Sequence, residues 1–319
     1  TQTYSHAVTL GANTALTATV GTVNFVSITD GASSFDLDLT TAAALVLKDV
    51  TIDGNLHTTT QAGGVSQAAG THLDIGGTSR FTATVTADQD AALTSATNRF
   101  VGTLTMDEVT PGSWRDVSLT TTNALTLGPL HSGGTVTVLT QGAALTTDTI
   151  TATADLVITT AGGAVSLGET TVSGDMALTT SGGAVSQTGQ FVVTGDTSVT
   201  AGAGTITMLN PLNNFGGTLA LQGTSTSVAT SGNLQLATVH NTGPMVLRAP
   251  SGSIDLGTAF ISGGDLTLES MLGMNLGGAD ITGDLNMTST QGTIAFGQAT
   301  VTGDLSATTN GRQVDLGSA

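Results

Sequence analysis

Carboxylates that recur at a fixed spacing are the residues of this 319-residue chain whose type and position suggest chemistry. An Asp, usually preceded by Gly, returns about every twenty residues, and the series comprises Asp155, Asp175, Asp196, Asp265, Asp284 and Asp304. In a stack of equivalent turns, neighbouring carboxylates would lie roughly 5 Å apart. Calcium binds six to eight oxygen ligands, so this column is a candidate calcium ladder.

Turn capping is the competing interpretation of the same column. An Asp in a tight turn accepts hydrogen bonds from backbone N–H groups of its own turn. The glycine-rich Asp nonapeptide of calcium-binding β-rolls is absent from the sequence. We therefore prefer capping, and we predict no catalytic residue and no required cofactor, with calcium as the one cofactor candidate.

A segment with unusual composition, DEVTPGSWRD at residues 107–116, interrupts the repeat and is the best partner-binding candidate. It contains the only Trp of the chain, Trp114, followed by Arg115. An exposed Trp beside an Arg is typical of an interaction hot spot. The other interpretation, which we prefer, is a Trp folded back over the wall to cover an irregular layer. We expect any site to lie where the repeat breaks, around Trp114 or between Asn210 and Pro250.

The period that spaces the carboxylates also predicts the fold. Short runs alternate apolar and polar residues, as in FDLDL at residues 35–39, and glycine punctuates them. A repeat of about twenty residues built this way is typical of a solenoid. The sequence predicts an all-β, right-handed parallel β-helix with three short strands per coil and roughly fifteen layers. A two-domain sandwich or barrel would explain the strands but not the recurring corner dipeptide.

The domain prediction is one continuous solenoid over residues 1–319, with more irregular coils at 71–118 and 208–252. Two longer internal matches support the repeat. The stretch IDGNLHTTTQAGGVSQ at 52–67 aligns with VSGDMALTTSGGAVSQ at 172–187, and NRFVGTL at 98–104 aligns with NNFGGTL at 213–219. The second match, Asn-x-Phe-x-Gly-Thr-Leu, predicts a corner followed by a strand.

Charge and composition exclude several classes of function. The chain has 23 acidic and 6 basic residues, for a net charge of −17, which disfavours nucleic acid and anionic membranes as partners. No apolar run approaches the ~18 residues of a membrane helix, so we expect no membrane insertion. Aromatic residues are 3% of the chain, too few for a sugar-binding cleft, and the basic residues share no common face. We therefore predict that the protein is not an enzyme.

The segments GGAVSQ (182–187), VTGD (193–196) and AGAGTIT (201–207), together with the Asn-x-Phe element, resemble filamentous-haemagglutinin-type repeats. The proteins of that family are long bacterial β-helical adhesins of the two-partner-secretion and autotransporter kind. The resemblance covers most of residues 51–319. The Asn-Pro-Asn-Gly-type motifs of the family's secretion domain are missing, so the chain resembles the shaft of such an adhesin.

The resemblance implies a secreted or cell-surface shaft that mediates attachment or matrix and biofilm contacts. Its partner would be a host or bacterial surface molecule, a glycan or a matrix component. The alternative is a self-assembling subunit of an extracellular filament, matrix fibre or sheath, whose identical copies stack end to end. A polysaccharide-acting β-helix enzyme is a distant third.

Overall fold

A computed structural model describes residues 1–84, 89–110 and 112–316 of the chain. Strands are the only regular elements in these ranges, and no helix long and apolar enough to span a membrane occurs among them. The chain forms two compact units, Thr1–Gly163 and Ala164–Ala319, which are described in turn.

Short strands make up the first unit. They are β1 Gln2–Thr3, β2 Val8–Thr9, β3 Thr14–Ala18, β4 Val23–Asn24, β5 Ser27–Thr29, β6 Leu37–Thr41, β7 Leu45–Leu47, β8 Asp49–Ile52, β9 Leu56–Thr60, β10 Val65–Gln67, β11 Leu73–Ile75, β12 Ser79–Ala83, β13 Gln89–Leu93, β14 Arg99–Phe100, β15 Leu104–Glu108, β16 Trp114–Thr121, β17 Leu125–Ser132, β18 Val136–Thr140, β19 Leu145–Thr147, β20 Ile150–Ala152 and β21 Leu156–Thr160.

Each strand of the first unit pairs in parallel with its counterpart one coil away. One ladder runs through β2, β5, β8, β11 and β14, and a second through β3, β6, β9, β12 and β15. A third runs through β7, β10, β13, β16, β18 and β21. Strand β17 continues the second ladder and pairs onward with both β19 and β20.

The second unit has the same construction. Its strands are β22 Val165–Leu167, β23 Thr170–Val172, β24 Met176–Thr179, β25 Val185–Gln187, β26 Phe191–Val193, β27 Thr197–Thr200, β28 Ile206–Met208, β29 Asn214–Phe215, β30 Leu219–Gly223, β31 Thr226–Ala229, β32 Leu234–Asn241, β33 Met245–Ala249, β34 Ser253–Asp255, β35 Ala259–Ser262, β36 Leu266–Ser270, β37 Gly273–Asn275, β38 Asp280–Ile281, β39 Leu285–Ser289, β40 Thr293–Ala295, β41 Thr300–Val301, β42 Leu305–Thr309 and β43 Val314–Asp315.

Parallel ladders again hold the coils of the second unit together. One runs through β24, β27, β30, β32, β35, β38 and β41. Another runs through β22, β25, β28, β31, β33, β36, β39 and β42. The ladder of β23, β26 and β29 is shorter, and β32 also begins a ladder through β34, β37, β40 and β43.

The core of each coil is a thin layer of inward-facing apolar side chains. On β24 and β25, Met176, Leu178 and Val185 are buried, while the residues between them along each strand face outward. Successive side chains of a strand point to opposite faces, which is why the alternating sequence buries every second residue. The all-β parallel solenoid that the repeat predicts is confirmed, with about fifteen coils among the described residues.

The coil-to-coil register shifts at two places in the first unit, between β13 and β16 and between β15 and β17, and at one place in the second. In the first unit, Gln89 of β13 lies opposite Trp114 of β16, but Ala91 lies opposite Val117, so β16 contains an extra residue. In the second unit a similar shift separates β30 from β32. The strands that absorb these shifts, β16, β17 and β32, have eight residues each, longer than their neighbours.

Candidate functional site

At several corners the Asp side chain binds the backbone of the next coil. The Oδ1 atom of Asp175 accepts a hydrogen bond from the backbone N–H of Asp196 at 2.8 Å. Asp265 does the same for the N–H of Asp284 at 2.9 Å, and Asp284 for that of Asp304 at 2.8 Å. At these corners the carboxylate therefore accepts an amide of the next coil, a partner that the capping interpretation did not include.

Glycine precedes these positions because the carboxylate of the preceding coil occupies the space of its side chain. A Cβ on Gly283 would lie 2.5 Å from Oδ1 of Asp265, and one on Gly217 would lie 2.5 Å from Oδ1 of Asp196. No real Cβ tolerates such a contact without movement of its neighbours. The two residues of the Gly-Asp dipeptide thus have complementary roles. The Asp carboxylate binds the following coil, and the glycine leaves space for the Asp carboxylate of the preceding coil.

Asp196 shows the electrostatic effect of this arrangement. Its Oδ1 accepts the backbone N–H of Thr218 at 2.7 Å and the Thr218 hydroxyl at 2.9 Å. The backbone hydrogen bond, followed by the hydroxyl bond, lowers the pKa of Asp196 below its ordinary value, because both stabilise the charged carboxylate.

The candidate calcium ladder lies in these corners. Its members are Asp155, Asp175, Asp196, Asp265, Asp284 and Asp304. No group of three or more His, Cys, Asp or Glu side chains in the described ranges is arranged to hold a metal ion. The bonds to backbone amides give the corner carboxylates a structural role that requires no ion.

A second corner of the coil is closed by a buried hydroxyl. The Thr180 side chain donates a hydrogen bond to the backbone carbonyl of Gly183, and Thr160 donates to Gly163 in the first unit. Ser270 makes the same bond to Gly273 at 3.1 Å. Such side-chain to backbone bonds hold a turn in place. The repeated Thr-x-x-Gly of the sequence is therefore a structural feature.

Trp114 is buried, with no measurable exposure, so it is not the exposed hot-spot residue of the first interpretation. Its indole Nε1 donates a hydrogen bond to the backbone carbonyl of Asp107 at 2.8 Å. It lies at the start of β16, where the register shifts and a large side chain fills the irregular layer. The preferred interpretation, a Trp folded inward, describes its position.

Arg115, the other partner-binding candidate, is about half exposed and is held by acids. Its guanidinium contacts the Asp90 carboxylate at 2.6 Å and Asp116 at 3.5 Å. Pro111 of the same segment lies outside the described residues. The segment thus offers a paired, solvated Arg115 and, among its described residues, no exposed aromatic anchor.

A half-buried amide pair in the first unit, made by Gln67 and the buried Asn98, was not predicted from the sequence. The side chains of Gln67 and Asn98 exchange two hydrogen bonds of 2.8 and 2.9 Å, although they are 31 residues apart. Asn98 Oδ1 also accepts the backbone N–H of Leu73 at 2.9 Å, and Gln67 Oε1 accepts that of Ser95 at 3.2 Å. The pair therefore satisfies backbone groups of the neighbouring coil and of the loop that ends at Asn98.

The second unit contains the same pair. Gln187 and Asn213 exchange hydrogen bonds of 2.9 and 2.8 Å. Asn213 Oδ1 accepts the N–H of Phe191 at 2.8 Å, and Gln187 Oε1 accepts that of Asn210 at 3.2 Å. The signal in the sequence was the joint recurrence of the VSQ and Asn-x-Phe motifs. What it lacked was any indication that the two motifs meet in space.

Residues 94–96 and the loop residues Leu209 and Pro211 each line a groove. In the first unit it has a volume of about 350 Å³ and is lined by small residues, Gln67, Ala68, Ala69, Gly70, Thr94, Ser95 and Ala96. In the second unit it has a volume of about 510 Å³, within the range of small-molecule sites. Leu209, Pro211 and Pro250 contribute to the larger groove, which falls in the region where the repeat breaks.

Basic side chains pair with acids of an adjacent coil. Arg99 contacts Asp74 at 2.7 Å, and Arg248 contacts Glu269 at 2.9 Å. Arg80 pairs with Asp107 in the same way. These side chains lie on outward faces of the coils, where they link successive layers.

Comparison with known proteins supports a repeat protein. Residues 34–107 and 153–222 match the family described as repeats of unknown function (DUF5649). Each matched stretch contains one of the two amide pairs, so the shared pattern and the shared contact coincide. A search of the curated proteins and a search of the solved structures found no match to this chain.

Proposed function

We propose that this chain is the non-enzymatic shaft of a secreted or cell-surface bacterial adhesin. In that role it holds binding elements in position for attachment to a surface or matrix. The observation that carries the proposal is the recurring bond from a corner carboxylate to the backbone of the next coil, as between Asp175 and Asp196 or between Asp265 and Asp284. The polar residues that recur most regularly in the sequence therefore join successive coils, as expected of a structural scaffold.

The ion pairs support the same function. A polysaccharide lyase needs a basic residue poised over its substrate, but Arg80 and Arg99 are engaged with acids on neighbouring coils. The motif resemblance to filamentous-haemagglutinin-type shafts adds an independent reason. The same resemblance implies that the chain is located at the bacterial surface and that it takes part in adhesion.

Electron microscopy of the purified chain tests the shaft. We expect discrete short rods at every protein concentration. Long uniform fibres that lengthen with concentration would contradict the shaft and support a self-assembling filament subunit.

Attachment is tested on living cells. Bacteria that display the chain should bind a matrix-coated surface more strongly than isogenic cells that lack it, and antibodies should label the chain on intact cells. Surface labelling without any gain in attachment would contradict the adhesive role and leave the shaft itself in place.

A further inference from the structure

The loops that follow the two Gln residues share one backbone frame. In residues 94–98 the N–H of Asn98 donates to the carbonyl of Ser95 at 3.2 Å, and in residues 209–213 the N–H of Asn213 donates to that of Asn210 at 3.1 Å. The residues that supply these carbonyls, Ser95 and Asn210, each also donate their own N–H to the Gln side chain of the pair at 3.2 Å. The path of each loop is therefore set by the amide pair and by backbone bonds.

The outward side chains of the two loops differ completely in chemistry. Loop 94–98 has Thr, Ala and Thr at positions 94, 96 and 97, where loop 209–213 has Leu209, Pro211 and Leu212. Leu209 is 40% exposed and Leu212 is 62% exposed. Because the first unit builds the same loop with polar side chains, the exposed leucines are not required to fold it. Exposed aliphatic residues that folding does not require indicate a binding surface.

The groove behind this loop has aliphatic walls. Leu209 and Pro211 line one side, and Pro250 and Met271 from later corners contribute the rest of the apolar lining. Leu272, beside the groove, is also 51% exposed. Methionine adapts its shape to flexible apolar ligands. None of the residues that line the groove is aromatic, so it offers no stacking platform for a sugar ring.

A polar group stands at the edge of the groove. Arg248 lines it and uses its Nε–H for the ion pair with Glu269. A guanidinium carries five N–H donors, so further donors remain to bind an incoming carboxylate. The outward-facing strands β33, β36 and β39 pair on both sides, and they leave no edge to which a peptide strand could add.

We propose that the groove formed by Leu209, Pro211, Pro250 and Met271 binds the aliphatic chain of a free, monomeric fatty acid, with Arg248 contacting the carboxylate. The volume of about 510 Å³ suits a small ligand, and the lining combines aliphatic side chains with Arg248 and its ion-pair partner Glu269. This role is additional to the shaft and does not depend on it.

Calorimetric titration with sodium decanoate, below its micelle concentration, tests the site on the whole chain. We expect one equivalent of decanoate to bind. The triple variant Leu209→Thr, Pro211→Ala, Leu212→Thr installs the residues of loop 94–98, which the fold already accepts. It should weaken binding about tenfold or more, since apolar burial is lost, with an unchanged melting temperature.

Two controls make the result decisive. Thr94→Ala with Thr97→Ala changes the matching loop of the first unit and should leave decanoate affinity as it was. Arg248→Gln should weaken decanoate but not 1-decanol, which lacks the charge. Absence of decanoate binding, equal binding by the triple variant, or equal loss for both ligands in Arg248→Gln would each overturn the proposal.

Discussion

The Oδ1 atom of Asp175 accepts a hydrogen bond at 2.8 Å from the backbone N–H of Asp196, which lies 21 residues further along the chain. Asp196 in turn binds Thr218, so the corner forms a chain of side-chain to backbone bonds from coil to coil. These bonds run beside the β-ladders and join successive coils through side-chain carboxylates.

Asp196→Asn should change how stability depends on pH. The pKa of Asp196 is lowered by its bonds to Thr218, so its stabilising contribution is present above the ordinary Asp value of about 4 and is lost as pH falls through the lowered pKa. Asparagine keeps an oxygen acceptor but has no charge. The difference in melting temperature between wild type and variant should therefore shrink below about pH 4.

Thr218→Val is the matched control for that measurement. It removes the hydroxyl bond to Asp196 but keeps the backbone N–H bond. In this background the pH-dependent effect of Asp196→Asn should become smaller without disappearing. A difference that stays constant from pH 6 to about pH 2 would contradict the assignment.

Gly283→Ala should destabilise the second unit, because the new Cβ would lie 2.5 Å from Oδ1 of Asp265. Overpacking of this kind costs about 1–3 kcal/mol in the free energy of unfolding. Gly11→Ala is the control, since no atom lies within 4 Å of its added Cβ. Chemical denaturation measures both, and equal costs for the two variants would contradict the paired corner.

Asn213→Ala should cost about 2 kcal/mol or more, because the half-buried Gln187 amide and the buried backbone groups of Phe191 and Ala229 each lose a partner. Asn214→Ala, one residue later on an exposed side chain, should have little effect. Gln187→Ala combined with Asn213→Ala should cost less than the sum of the single changes. Additive costs would show that the two amides do not act as a unit.

Trp114→Ala should lower stability by about 3–5 kcal/mol, the usual cost of removing a fully buried large aromatic side chain. Arg115→Ala should cost less than about 1 kcal/mol, since its ion pairs are half exposed. Loss of binding to a partner at an unchanged melting temperature in Trp114→Ala would contradict the buried position.

Much of the fold is predictable because its signals are local. The alternation of apolar residues and the recurring Gly-Asp dipeptide act within one coil, and they correctly indicate parallel stacking with Met176, Leu178 and Val185 inside. The contacts between coils are not local. The sequence does not show that an Asp carboxylate reaches the next coil, or that Gln187 meets Asn213, because both contacts depend on the stacking register.

Trp114 illustrates a different limit. The sequence favours an inward Trp over an irregular layer, but it does not show the register shift at β16, where the buried indole lies. A defect in the repeat cannot be placed from composition alone. The same holds for the groove of the second unit, whose walls come from corners in several coils.

Removal of one whole coil should be tolerated. Deletion of residues 175–195 joins Gly174 to Asp196 and restores a Gly-Asp corner, and the stability of a solenoid is close to a sum over its repeats. The shortened chain should keep its β circular dichroism and cooperative melting. Deletion of residues 175–185, which removes about half a coil, should unfold the second unit, and equal tolerance of both deletions would contradict the coil boundaries.

In each amide pair, the residues that hold the loop backbone are different from the residues whose side chains are exposed on the loop. Gln67 with Asn98, and Gln187 with Asn213, hold the backbone of their loops from the inside, while the side chains at 94, 96 and 97, or at 209, 211 and 212, point outward. The same loop backbone thus carries polar side chains in one unit and aliphatic side chains in the other, on coils of the same construction. These loops are therefore positions at which three exposed residues can be exchanged while the coils that carry them stay the same.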